Sequence, residues 1–164
     1  MKTLYLVRHA KASWEEPGVS DIKRPLVPRG VEKTGRIVKF LQQRLVTIDL
    51  IISSPATRAY HTAKIISKGI GFPQEKIKIE RRIYDGYMDK ILDIIYETDP
   101  GIHSVMVLGH NPMITHVANL FLHPGIEFIP TSGMVCVSFN VDSWEKVPSV
   151  EAKQEFIIFP KMLK

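Results

Sequence analysis

Near its start the chain reads Thr3-Leu4-Tyr5-Leu6-Val7-Arg8-His9-Ala10. Five residues of apolar and β-branched character, too short a run for a stable helix, pass directly into a bulky cation and an imidazole. A run of that length and composition reads as a strand, and Arg8 and His9 then occupy its exit turn.

Further runs of the same kind lie at residues 50–53, 77–80, 105–108 and 135–140, and a sixth at 156–159 stops at Pro160. Between them the apolar spacing changes to that of a helix. Ala59, Ala63, Ile66 and Ile70 share one helical face, as do Ile114, Val117, Ala118 and Phe121. Val31, Val38, Leu41 and Leu45 mark a third helix, and Ile91, Ile94 and Ile95 a shorter fourth that ends near Thr98-Asp99-Pro100-Gly101. Strands alternating with helices, closed by a hairpin-like pair, predict an α/β three-layer sandwich whose mainly parallel sheet carries helices on both faces. At 164 residues, with no linker, repeat or low-complexity stretch, the chain is expected to form a single domain over 1–164. Residues 10–28 are the exception to the periodicity, holding Trp14, Pro17, Gly18, Pro25 and Pro28, and a long irregular connection in a compact domain is usually functional.

Ligands of open α/β sheets bind beyond the carboxyl ends of the strands, so the residues after each run matter most. The first run exits through Arg8 and His9. The second exits through Ser53-Ser54-Pro55-Ala56-Thr57-Arg58, where Ser54 fits a helix N-cap, Pro55 the first helical position and Arg58 the first turn. The fourth exits through Gly109-His110-Asn111-Pro112, which repeats the cap-and-proline pattern and leaves His110 at the strand tip. If these strands are parallel neighbours, two imidazoles and two guanidinium groups meet beside helix N-termini. Such a cluster is unfavourable without a multiply charged anion among its members, and planar guanidinium groups match phosphate oxygens.

Other readings of these residues are weaker. A lone histidine after a strand is commonly a hydrogen-bonded structural residue, which suits His61, His103, His116 and His123. Arg8 or Arg58 alone could be a surface ion pair. The histidines lack the i, i+3 or i, i+4 spacing of a helical metal pair, so no metal and no cofactor is expected. Ser53 and Ser54 lie outside any Gly-x-Ser-x-Gly elbow, and no Gly-Lys-Ser or Gly-Lys-Thr P-loop occurs. Cys136, the one cysteine, sits in an apolar run and reads as a buried structural thiol.

The composition, 45% hydrophobic and 24% charged, is that of a globular protein. The net charge of +5 biases it towards anions without choosing among them. Nucleic acid is not the expected partner, because the basic run Lys76 to Arg82 alternates with apolar residues like an ordinary strand with a solvated face. The apolar start is broken by charge too early for a signal peptide, and no stretch has the length of a membrane span, so no membrane partner and a cytoplasmic location are expected.

Leu6-Val7-Arg8-His9-Ala10, Ser53-Ser54-Pro55 with Arg58, and Gly109-His110 together resemble, in order, the three landmarks of the histidine phosphatase superfamily. Arg24-Pro25-Leu26 before a helix, Gly109-His110-Asn111-Pro112 and the short chain resemble its phosphohistidine phosphatase (SixA) branch. The resemblance implies a phosphoglycerate-mutase-like fold, His9 as nucleophile, Arg8, Arg58 and His110 as the phosphate pocket, and Arg24 and Ser132 as further substrate-binding candidates. It also implies metal-independent removal of phosphate, by way of a phosphorylated His9, from phosphohistidine in a phosphorylated protein, with a small phosphorylated substrate as the second choice. Larger members carry an acid after the third strand; the matching segment here, Arg82 to Tyr87, is compact, and Asp85 is only its positional candidate, since a lone loop aspartate reads more readily as a capping or turn residue. A phosphatase for sugar phosphates or nucleotides and a non-catalytic phosphate or phosphoprotein reader remain alternatives. The oligomeric state is not legible.

Overall fold

The computed structural model describes residues 1–14 and 17–164. Strands β1 (Lys2–Arg8), β2 (Leu50–Ser53), β3 (Lys78–Ile79), β4 (Ser104–Gly109), β5 (Met134–Phe139) and β6 (Lys153–Ile158) form one sheet in the order β3-β2-β4-β1-β5-β6. The β1–β4, β2–β4 and β2–β3 pairs are parallel; β5 runs antiparallel to β1 and to β6. The helices are α1 (Pro28–Gln43), α2 (Thr57–Ile70), the single-turn α3 (Arg82–Asp85), α4 (Met88–Tyr96) and α5 (Met113–Phe121). The expected three-layer arrangement is therefore present.

Alternation along the strands divides the core in two, because successive side chains leave opposite faces of a sheet. Leu4, Leu6, Val105 and Val107 pack with Ile91 and Ile94 of α4 and Ile114 and Val117 of α5. Tyr5, Val7, Met106 and Leu108 pack with Ile37 and Leu41 of α1 and Ala63 and Ile66 of α2. A parallel strand covered on both faces must be apolar throughout, which is why β1 and β4 show no polar alternation. Helix α2 stops at Gly71, whose φ of 78° is left-handed, and the Phe72 N–H closes onto the Ser67 carbonyl at 2.8 Å. Among the described residues no helix is long and apolar enough to cross a membrane.

Three local expectations need correction. Helix α2 begins at Thr57 and its N-cap is Ala56; the Ser54 hydroxyl instead accepts the Ala56 N–H at 3.2 Å, because the chain needs that turn before it can enter the helix. Asn111 does not cap α5 either: its side-chain N–H donates to the Ile129 carbonyl at 2.9 Å, and its oxygen accepts from the Thr115 hydroxyl at 2.6 Å. The run at 77–80 contributes only two strand residues, since a 3-10 turn at Gln74–Lys76 precedes it and β3 lies at the sheet edge, where β2 is its one partner among the described residues.

Candidate active site

Parallel pairing of β2, β4 and β1 brings their carboxyl ends to one edge, with β4 between the other two. The His9 N–H donates to the Gly109 carbonyl at 3.1 Å and the Ser54 N–H to the Leu108 carbonyl at 3.1 Å, so the three exits are stitched together just beyond the sheet. The next turn is fixed from α2, where Thr62 accepts the Ala10 N–H at 2.9 Å while donating to the Arg58 carbonyl at 2.7 Å. His9 and His110 consequently stand with ring centres 5.1 Å apart.

These residues open onto a cavity of about 250 Å³ lined by Arg8, His9, Arg24, Arg58, His110 and Asp21 together with Lys11, Ala12, Trp14, Asn111 and Thr131. His9 Nδ1 lies 2.7 Å from the Ala10 carbonyl oxygen, which can only accept. The proton therefore resides on Nδ1 and the lone pair on Nε2. Burial, followed by the charges of Arg58, Arg8 and Arg24, pushes His9 down to about 4 against the raising effect of that hydrogen bond. His110 is pushed down to about 3 by burial, and then by His9 and Arg58. Both rings are thus neutral at neutral pH in the free protein.

Among the described residues, Arg8 Nε, Arg58 Nε and His110 Nδ1 are buried without a hydrogen-bond partner. Leaving such groups unpaired costs about 1–3 kcal/mol each, more where they are charged. An oxyanion bound among these side chains would offer acceptors of the kind these nitrogens lack. Arg8 also donates to the Ile129 carbonyl at 3.3 Å and Arg24 Nε to the Ser13 carbonyl at 2.7 Å, and the Arg24 guanidinium lies 3.8 Å from the centre of the exposed Trp14 ring.

Asp21 is the carboxylate that reading the sequence misses. Arg58 donates to its main-chain oxygen at 2.7 Å and to Oδ2 at 3.2 Å, the Tyr84 hydroxyl donates to Oδ2 at 2.7 Å, and Arg24 donates to Oδ1 at 2.9 Å. The Tyr84 and Arg24 bonds, with the Arg58 charge, hold Asp21 well below the usual carboxylate range despite the opposing effect of its burial. Asp85, the positional candidate for an acid, stays outside the cavity: its carboxylate accepts from Arg81 Nε at 2.8 Å, one helical turn away. Ser132 also contributes no side chain to the cavity. Its hydroxyl bonds Thr34 at 2.9 Å, and its N–H bridges the Arg8 and His9 carbonyls at 3.1 and 3.2 Å, with φ at 61°. It supports the β1 exit from behind. Among the described residues no group of three or more His, Cys, Asp or Glu side chains is placed to hold a metal ion.

A family model described as histidine phosphatase superfamily (branch 1) matches residues 4–85. An uncharacterized protein of Mycobacterium tuberculosis is 30% identical over 112 residues, covering 68% of this chain and 67% of that protein. The structure of the protein histidine phosphatase SixA complexed with tungstate superposes with a TM-score of 0.84 at 21% identity, covering 99% of each chain. A Nakamurella multipartitia protein proposed to be a phosphohistidine phosphatase SixA superposes with a TM-score of 0.81 at 23% identity, covering 97% of this chain and 96% of that one. At those identities the structural likeness speaks for a common fold.

Proposed function

This chain belongs to the histidine phosphatase superfamily, branch 1, and we propose that it removes phosphate from phosphohistidine in proteins through a covalent intermediate on His9. The observation that carries the reading is the His9 Nδ1 bond to the Ala10 carbonyl, which leaves the Nε2 lone pair inside a cavity lined by Arg8, Arg24 and Arg58. A neutral imidazole with its other nitrogen already protonated can attack phosphorus and become an N-phosphorylated imidazolium. The Ala10 carbonyl then stabilises that cation, which makes His9 a good leaving group when water attacks in the second step.

Arg8, Arg58 and His110 are assigned to the phosphoryl oxygens, where preorganised donors act on charge that redistributes during transfer. Arg24 is assigned to the cavity rim. The chain supplies this positive charge itself, so the proposed reaction proceeds without a metal ion. Phosphohistidine is favoured over an alkyl ester by the position of Asp85. An alkoxide needs a proton from a positioned acid, worth about 10²- to 10⁴-fold, and the Asp85 carboxylate is engaged by Arg81 away from the cavity. Imidazole leaves as a neutral molecule once its second nitrogen is protonated. The cytoplasm is the proposed location.

The test is a panel of a phosphohistidine-bearing protein, a sugar phosphate and an aryl phosphate, assayed with and without a chelator. Turnover highest on phosphohistidine and unchanged by chelation is expected. Turnover highest on the sugar phosphate would replace this function with that of a small-molecule phosphomonoesterase.

A further inference from the structure

The charged side chains lining the cavity are cationic with one exception. Among the described residues Asp21 is the only carboxylate lining it, alongside Arg8, Lys11, Arg24, Arg58 and the two imidazoles. In a site for phosphate alone this is costly, because a carboxylate repels a phosphoryl dianion and occupies guanidinium donors that the dianion would use. Asp21 is nevertheless firmly held. Its oxygens take hydrogen bonds from Arg24 on its own segment, Arg58 on α2 and Tyr84 on α3, and His110 at the exit of β4 feels its charge. Its side chain is still 54% exposed, so it belongs to the rim of the cavity, where the remainder of a substrate must lie.

We propose that Asp21 is the group that recognises the substrate's imidazole ring: it accepts a hydrogen bond from the ring nitrogen that does not carry phosphorus and holds that nitrogen protonated. This rests on the phosphohistidine reading given above. Transfer begins with the substrate ring as an imidazolium. The His9 Nε2 lone pair forms a bond to phosphorus as the substrate N–P bond breaks, and that electron pair returns to the substrate nitrogen. Neutral imidazole leaves with its N–H on Asp21, and His9 becomes the phosphorylated imidazolium with its Nδ1–H on Ala10. Phosphoryl transfer between two imidazoles is chemically symmetric, and the site is symmetric in the same sense. An acceptor holds the remote N–H of each ring: the Ala10 carbonyl for the nucleophile and the Asp21 carboxylate for the leaving group.

The role predicts selectivity, because an aryl or alkyl phosphate presents no N–H to Asp21. Initial rates of the parent, Asp21→Asn and Asp21→Glu are measured on a phosphohistidine-bearing protein and on an aryl phosphate, from about pH 6 to about pH 8, with circular dichroism to check the fold. Asp21→Asn is expected to slow both reactions, since Arg58 loses an ionic partner. The ratio of phosphohistidine to aryl phosphate turnover should also fall by about tenfold or more near pH 8, the low end of what proton placement contributes. That deficit should shrink towards pH 6, where an imidazole of ordinary basicity, near 6.5, protonates unaided. Asp21→Glu keeps the charge and is expected to keep most of the ratio; it carries the test if the asparagine variant does not fold. A ratio within about twofold of the parent's at every pH in Asp21→Asn, or as large a fall in Asp21→Glu as in Asp21→Asn, would reduce Asp21 to a support for Arg58 and overturn the proposal. A parent that hydrolyses the aryl phosphate and leaves phosphohistidine untouched would instead bring down the function itself, and this role with it.

Discussion

The Ser54 hydroxyl oxygen lies 2.8 Å from His110 Nε2 and also accepts the Ala56 N–H at 3.2 Å. With that N–H as its donor, Ser54 is free to give its own proton to Nε2. The ring proton of neutral His110 then belongs on Nδ1, the nitrogen without a hydrogen-bond partner among the described residues. In the proposed reaction that N–H is the donor to a phosphoryl oxygen, and Ser54 positions it by acting through His110.

Replacing Ser54 with alanine removes this bias. Nitrogen chemical shifts of His110 in labelled protein should show a tautomer favouring the Nδ1 proton in the parent and a mixture in Ser54→Ala. Vanadate should bind the variant about tenfold more weakly, the scale of one hydrogen bond to a charged group. Unchanged shifts and affinity would remove Ser54 from the account.

Arg8→Ala and Arg58→Ala should each lower kcat by about 10²- to 10³-fold, the effect of removing one preorganised donor from developing charge. Each should also weaken inorganic phosphate binding, measured by calorimetry. Two variants of near-parental efficiency would show that the strand exits do not build the phosphate site.

The buried imidazoles make stability depend on pH. The folded values of His9 and His110, about 4 and about 3, lie below the ordinary value near 6.5, so between these limits the unfolded chain binds more protons. Their contribution is complete above about pH 6.5 and is lost as pH falls towards the folded values. Urea midpoints should drop between about pH 7 and about pH 4, and the drop should be smaller in His9→Ala. A midpoint independent of pH across that window would contradict the burial-driven shifts.

Gly30 couples helix α1 to the loop after His9. A Cβ there would lie 2.5 Å from the Lys11 carbonyl oxygen, which also accepts the Val27 N–H at 3.0 Å. Helix propensity favours Gly30→Ala by about 1 kcal/mol, whereas overpacking against main chain costs about 1–3 kcal/mol. Net destabilisation and reduced kcat/KM are expected, since Lys11 lines the cavity. A raised urea midpoint would mean that the loop yields freely.

The sheet and its main helices were legible because both announce themselves locally, β1 and β4 through unbroken apolar runs and α2 through the spacing of Ala59, Ala63 and Ile66. The exits of β1, β2 and β4 could be singled out because ligands gather at such ends. Asp21 could not. It lies in the aperiodic segment, and its bonds to Arg58 and Tyr84 span 37 and 63 residues, which no local pattern encodes. The Ser54–His110 bond spans 56 residues and was hidden for the same reason, with a capping role as the nearer reading. Asp85 is the opposite case, since its partner Arg81 lies only four residues away.

In the proposed reaction phosphorus is bound to His9 Nε2 during turnover. Rapid quench with labelled substrate, split between acid and alkaline conditions, reads that bond, since a phosphoramidate on histidine is lost in acid and kept in alkali whereas a serine ester is kept in acid. An acid-labile, alkali-stable label is expected on the peptide containing His9, formed before product release and absent from a folded His9→Ala variant. A label elsewhere, or turnover by His9→Ala above the uncatalysed rate, would contradict it.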